Sequence, residues 1–393
     1  MNVEASLRLN IEWFQNSGIM RPGSGEWGIG ERIATRDNKA LEMVLSAFPY
    51  YTEFPKGFVL EHRRPDCNFQ TAWLFAAASE ALNRPELMTV TENILDYLFH
   101  RSGLLNKRYP DLPEAAWEWS TNNLKNQFYY DDNGWNGLFE LALARRYPAL
   151  EERFRMRDWG LKLAGTLANA LEKEFFGGAP VTIVGKPELP HWGALACMPI
   201  AAAAVETGDD ARAEAVRRYF RFLDEKFDTL NTSEYAYILV GGGVAAGLLR
   251  DAAIRATVER AAAVLMKRMS RSGNIASEHY EIPNGEHLVD LVYTVNWALL
   301  GFQETAALTG KPEHRQAFEQ LLALVTGIQD RCSEALFNGC WRGLYDLNEK
   351  AWAGGDLHEG GSGSIYSGWT NAPIAMALAH FLNGNSLAEV FSE

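Results

Sequence analysis

Residues 129–135 read Tyr-Tyr-Asp-Asp-Asn-Gly-Trp, and the run that follows, NGLFELALAR, has the spacing of a helix. Asp131 and Asp132 therefore stand side by side where an apolar helix begins, with Tyr129, Tyr130 and Trp135 around them. Where water is scarce, two adjacent carboxyl groups do not ionise together, and an apolar wall widens the gap between them. A pair split in this way offers one proton donor and one carboxylate, the arrangement acid/base chemistry requires. The bland alternative is capping, in which a carboxylate of the first turn accepts from free N–H groups and meets the positive end of the helix dipole. Successive side chains on a helix point about 100° apart, so capping accounts for one of the two at most.

Other residue types extend the set of candidates. Asp66 follows His62-Arg63-Arg64, whose guanidinium groups suit an anionic sugar such as a uronic acid, or simply form surface ion pairs. Trp117, Trp119, Trp135, Trp192 and Trp369 fall in or beside polar connecting segments. A flat ring suits the C–H face of a sugar, and as a set these tryptophans favour a carbohydrate ligand over ordinary packing. The stretch SEHYEIPNGEH brings His279, Glu281, Glu286 and His287 together, but its spacing is not that of a zinc helix and no compact ligand set is evident. No metal and no cofactor is expected. His191, His279 and His287 are open to a different role, as paired bases of a sugar epimerase.

Several patterns are set aside. Gly23–Gly28 satisfies GxGxxG but follows no strand and opens no βαβ unit, so it is a glycine-rich loop. Gly241-Gly242-Gly243 sits inside an apolar helical run and permits close packing. Cys67, Cys197, Cys332 and Cys340 have no CxxC spacing and read as reduced thiols.

The elements that must position these residues are almost all helical, the best strand candidate being Val181–Val184. The helices are of two alternating kinds. One is apolar and small-residue-rich all round, as in LACMPIAAAAVE (195–206); the other is amphipathic and charged, as in ARAEAVRRYFRFLDEKF (211–227). Inner candidates begin near Asp66, Asp132, His191, Glu234, His287 and Tyr366. Outer partners follow the first five, and the amino-terminal helix supplies the sixth. Six hairpins, none able to bury its own apolar face, predict an all-α (α/α)6 barrel, a closed toroid forming one domain over residues 1–393. In such a ring every inner helix starts at the same rim. Asp66, Asp131, Asp132, His191, Glu234, Glu286, His287 and Tyr366 then gather at one mouth, with the long segments 100–130, 270–287 and 331–365 around it.

Composition narrows the partners. Hydrophobic residues make up 47%, charged residues 22%, and the formal net charge is −13 without any block of lysine and arginine, which disfavours nucleic acid. The longest apolar runs are too short to span a bilayer. No basic-then-apolar leader is visible, so the cytoplasm is the expected compartment. Oligomeric state is not legible.

The stretch YYDDNGWNGLFELAL resembles the aromatic-Asp-Asp-x-x-Trp motif of the family 76 glycoside hydrolases, endo-α-1,6-mannanases that are six-hairpin α/α barrels. The likeness covers about a dozen residues; the rest of the chain resembles only the wider six-hairpin glycosidase superfamily, which also holds unsaturated uronyl hydrolases, sugar epimerases and polysaccharide lyases. The resemblance implies a retaining hydrolase with Asp131 as nucleophile and Asp132 as general acid/base. Asp66, Tyr130, Trp135, His191, Trp192, Trp119, Arg63, His287, Tyr366 and Trp369 are the expected substrate-binding residues. Asn136 stands where the family usually has a second aromatic, which implies a different glycan. The alternatives are a uronyl hydrolase using Asp66 with Asp132, a histidine-dependent epimerase, and a carbohydrate-binding toroid without catalysis.

Overall fold

A computed structural model describes residues 2–107, 109–122, 127–277, 285–354 and 361–392. Helices α1 (Val3–Asn16), α2 (Leu41–Ala47), α3 (Pro65–Ala81), α4 (Met88–Asp96) and α5 (Tyr130–Arg146) come first. They are followed by α6 (Pro148–Phe154), α7 (Met156–Asn169), α8 (Pro190–Thr207), α9 (Asp210–Lys226) and α10 (Thr232–Tyr237). The remainder are α11 (Gly243–Leu249), α12 (Ala252–Arg268), α13 (Val295–Thr309), α14 (Pro312–Ile328) and α15 (Ala372–Asn383). A π-helical turn, Ile238–Gly242, joins α10 to α11 into one long inner helix, and another, Ser367–Asn371, leads into α15.

Sequence character decides which ring a helix joins. α8 is buried continuously from Gly193 to Ala204, so it must be enclosed on every side. α9 buries Ala213, Val216, Tyr219, Phe220 and Leu223, a single face at helical spacing, and leaves its charges outside. The inner helices pack in the order α3, α5, α8, α10–α11, α13, α15, and α15 closes on α3. Against them lie α4, α7, α9, α12, α14 and α1 in turn. One apolar cluster runs through both rings, from Val3 to Val390. Inner backbones approach closely: a Cβ on Gly134 of α5 would lie 2.6 Å from the Leu195 carbonyl oxygen of α8.

Two parts of the sequence reading need correction. Val181–Val184 is not a strand; Val184 makes only an isolated parallel bridge to Tyr129. Strands lie elsewhere: β1 (Arg32–Thr35), β2 (Tyr51–Phe54), β3 (Gly57–Leu60), β4 (Leu288–Asp290), β5 (Leu344–Asp346), β6 (Ala351–Trp352) and β7 (Ser364–Tyr366). They form an antiparallel sheet in the order β2-β3-β1-β7 and a smaller one, β4-β5-β6. Strands of two to four residues are too short to show an alternating pattern. The second correction concerns the fifth inner helix, which begins at Val295 and not near His287. Residues 288–290 are strand, and the Asp290 carboxylate then turns the chain by accepting from the N–H groups of Val292 and Tyr293.

Candidate active site

The amino-terminal ends of the inner helices meet at one mouth, where their dipoles place positive potential. α3 and α8 start on Pro65 and Pro190, whose missing N–H is no loss at the first helical position. Neither α3 nor α5 has a side-chain cap, and the acids Asp66, Asp131 and Asp132 fill their first turns. The start of α5 is fixed from outside: Val184 N–H donates to the Phe128 carbonyl (2.6 Å) and Tyr130 N–H donates to Val184 (3.2 Å). Capping explains neither aspartate of the pair, because both carboxylates turn toward other side chains. Asp132 faces Arg64, while Asp131 faces His191 at 3.2 Å between Oδ2 and Nε2.

Arg64 is the hub of one half of the mouth. Its guanidinium donates from Nε and Nη2 to the two oxygens of Asp66 (3.0 Å each), from Nη2 to Asp132 Oδ1 (2.6 Å) and from Nη1 to Glu31 (3.1 Å). Asp66 also accepts from the Trp369 indole N–H at 3.0 Å. All these side chains are buried. Burial works against the Arg64 cation, but Asp132 and Asp66 more than offset it and hold its pKa well above the ordinary value. Burial also acts on Glu31, yet His62, Arg32 and Arg64 together keep that carboxyl far below the usual range.

Asp66 and Asp132 are left to share a single guanidinium that Glu31 also uses. Burial pushes Asp132 well above the ordinary carboxyl value; Arg64 opposes the shift, while Asp66 and Asp131 add to it. Asp66 is raised for the same leading reason. Two buried carboxyls on one cation retain a proton between them, and they titrate as a unit.

The other half is built on α8 and α10. Burial tends to lower the His191 pKa, but the adjacent Asp131 carboxylate, with Glu234, raises it above the ordinary value. Glu234 accepts from the His191 backbone N–H at 2.8 Å, and burial raises its own pKa. The His191 ring lies almost flat on Tyr237, with centroids 4.6 Å apart and planes within 5°. These contacts set the imidazole edge against Asp131.

Between the halves is a cavity of about 430 Å³, within the size range of small-ligand sites. Its walls include Asp131, Asp132, His191, Trp119, Trp192, Tyr366 and Trp369. Glu31, Arg32, Phe48, Arg64, Tyr129, Val292 and Tyr293 complete it. Glu31, Arg32 and Phe48 escaped the sequence reading because they come from the segment around β1 and α2, where no helical repeat marks the rim. Tyr129 carried a signal, since it sits beside the aspartates; it stacks on Trp192 at 5.8 Å. Among the described residues a larger groove of about 1360 Å³ lies beside Lys267 and His287, but it gathers no buried acids.

Several expected site residues are elsewhere. Asp66 stands behind Asp132 and does not line the cavity. Arg63 turns outward to the Trp27 and Glu61 carbonyls and the Glu61 carboxylate, so it clamps nothing in the mouth. His287 lies in the outer groove, 3.8 Å from Asp346, because its segment is 3-10 helix and strand and not the start of an inner helix. Tyr130 and Trp135 are buried beside the site, and Trp117 is buried with its indole donating to Glu140. His279 and Glu281 lie outside the described residues. Among the described residues no cluster of histidine, cysteine and acids could hold a metal ion.

No protein-family profile and no curated protein matches the sequence. Solved structures do match in shape over nearly the whole chain. A sugar epimerase from a ruminal bacterium has a TM-score of 0.65 at 9% identity, covering 98% of this chain and 99% of its own. An unsaturated glucuronyl hydrolase from Bacillus sp. GL1 has a TM-score of 0.61 at 13% identity, with 96% and 95% covered. An inactive α-1,6-mannanase variant of Salegentibacter sp. HEL1_6, with two neighbouring aspartates replaced by alanine, was solved with α-1,6-mannotetrose. It has a TM-score of 0.58 at 10% identity, with 96% and 98% covered. The chain therefore has the (α/α)6 barrel fold that these structures share.

Proposed function

We propose that this barrel is a retaining glycoside hydrolase acting on a neutral, α-mannan-like oligosaccharide, with Asp131 as nucleophile and Asp132 as general acid/base. One observation carries the reading: the cavity touches Asp131 and Asp132, whereas Asp66 lies behind Asp132, bonded to Arg64 and Trp369. The replacement of two neighbouring aspartates in the inactive mannanase variant supports the same pairing.

In the first step an Asp131 oxygen forms a bond to the anomeric carbon while the glycosidic C–O bond breaks, and Asp132 gives its proton to the departing oxygen. In the second step Asp132, now a carboxylate, takes a proton from water as that water attacks the anomeric carbon and frees Asp131. Asp66 keeps Asp132 protonated by adding negative charge at the shared guanidinium. His191 holds Asp131 in place and carries positive charge against it. Trp119, Trp192, Tyr129 and Trp369 supply flat faces for the sugar rings. A neutral substrate fits because both guanidinium groups of the cavity wall are already engaged, Arg64 by Glu31, Asp66 and Asp132 and Arg32 by Glu31 and Tyr366, while Arg63 points away.

The test is a product screen against neutral α-mannans and against unsaturated uronyl oligosaccharides, reading chain length and anomer. Release of α-configured products from the first class is expected. Cleavage of the uronyl class alone would overturn this reading and transfer the chemistry to Asp66 with Asp132.

A further inference from the structure

Beneath the acids the inner helices carry another layer of polar side chains. Gln70 follows Asp66 by four residues on α3, and Asn136 follows Asp132 by four on α5, so each stands under an acid on the same helix face. Both are fully buried, and neither the oxygen nor the nitrogen of either amide has a hydrogen-bond partner in the protein. The Trp135 indole N–H and Oδ2 of Asp132 are in the same condition. Below them the axis is closed by aromatic rings. Trp135 stacks on Phe139 at 5.5 Å and on Trp297 at 5.6 Å, and Trp297 belongs to α13, across the ring from α5.

An unpaired buried donor or acceptor costs about 1–3 kcal/mol, so this many together would consume much of a folded chain's net stability. Their partner must answer donors and acceptors together. A cation would meet the amide and indole N–H groups, and an anion would meet the Asp132 carboxyl. Water, which donates and accepts, fits both.

We propose that Gln70 and Asn136 hold a sealed cluster of ordered waters beneath Asp66 and Asp132, and that these waters solvate the acid pair from below. The proposal deepens the hydrolase reading and rests on it for its consequence in catalysis: Gln70 and Asn136 are positioning residues that act on Asp132 through water and do not touch the sugar. The charged and titratable groups facing the pair are Arg64, Asp131, Glu31 and the Cys67 thiol. Removing the waters leaves the carboxylate form poorly solvated, so the pair keeps its proton to higher pH.

Two measurements test this. A high-resolution crystal structure of the whole chain is expected to show waters bonded to both amides and to Asp132; a dry chamber, or the two amides bonded to each other, overturns the proposal. Gln70→Leu and Asn136→Leu are expected to fold, since replacing unpaired polar groups by apolar ones of similar shape is nearly neutral. In these variants the carboxyl titration of the Asp66–Asp132 pair, followed by the infrared C=O stretch that Asp132→Asn removes, should move up by about one pH unit, a tenfold change in the acid constant. An unmoved titration in a folded variant overturns the proposal, and if neither variant folds the crystal waters decide. The infrared readout needs no substrate, so failure of the product screen leaves this test intact. On an active enzyme the alkaline limb of kcat/KM should move with it.

Discussion

Replacing Arg64 with methionine and Asp132 with asparagine should change stability in opposite directions at neutral pH. Arg64 is the shared cation of three buried carboxylates, at 3.1 Å from Glu31, 3.0 Å from Asp66 and 2.6 Å from Asp132. Arg64→Met keeps roughly the side-chain length and leaves the Glu31 carboxylate and the charge shared by Asp66 and Asp132 without their common partner, which costs about 3–5 kcal/mol. With an unfolding entropy of about 2.1 cal/mol/K per residue, the 393 residues give roughly 0.8 kcal/mol/K, so a cooperative transition should fall by about 4–6 °C. Asp132→Asn replaces the carboxyl of raised pKa by a neutral amide and leaves Arg64 paired with Asp66 and Glu31. Burial raises the folded pKa of Asp132 well above its ordinary value, a cost at neutral pH that the amide does not carry, so Tm should rise.

The pH dependence gives the sign. Asp132 has a folded pKa above its unfolded value, so its cost is absent below the unfolded pKa and grows as pH rises through the folded one. The gain from Asp132→Asn should therefore vanish near pH 4. The deficit of Arg64→Met should shrink over the same range, as Asp66 and Asp132 protonate. Thermal unfolding by circular dichroism at pH 4, 5.5 and 7 measures both. If Arg64→Met loses as much at pH 4 as at pH 7, or Asp132→Asn loses stability at pH 7 like Arg64→Met, the shared-cation account is wrong.

Three further outcomes follow from named contacts. His191 has a raised pKa, so the stability from its pairing with Asp131 is fully present below the ordinary histidine value and lost as pH rises through the folded one; His191→Gln should flatten that decline in an unfolding titration. Trp192→Ala removes a ring stacked on Tyr129 at the cavity wall and should raise KM about tenfold while changing kcat less; an equal loss in kcat with KM unchanged would contradict a ground-state platform. At the far end of the barrel, burial raises the Glu304 carboxyl to about 7, against accepted bonds from the Leu387 and Ala388 N–H groups. Wild type should lose on the order of 3 kcal/mol between pH 4.5 and pH 8 through this group, and Glu304→Gln should not, as chemical denaturation across that range will show.

The helical rings were legible because burial leaves a periodic mark. A helix enclosed on every side, such as α8, has to be apolar and small all round, and an outer one, such as α9, has to alternate at helical spacing. Alternation of the two kinds fixes which helix ends meet at the mouth, and so places Asp66, Asp131, Asp132, His191 and Trp369 on one rim. The same logic failed at His287, because Leu288–Asp290 is too short and too rich in branched residues to tell a strand from a buried helix.

The adjacency of Asp131 and Asp132 in the chain says nothing about what each faces, since side chains one residue apart on a helix diverge. Only the tertiary structure turned Asp132 to Arg64 and Asp131 to His191, and brought Glu31, Arg32 and Phe48 across from the segment around β1 and α2, which has no repeat to announce it. The sequence by itself determined the ring and the rim, because those follow from local burial patterns repeated along the chain. Which carboxyl keeps a proton was decided by contacts between residues 64, 66 and 132, two of them distant in sequence from the third, and by the water excluded around them.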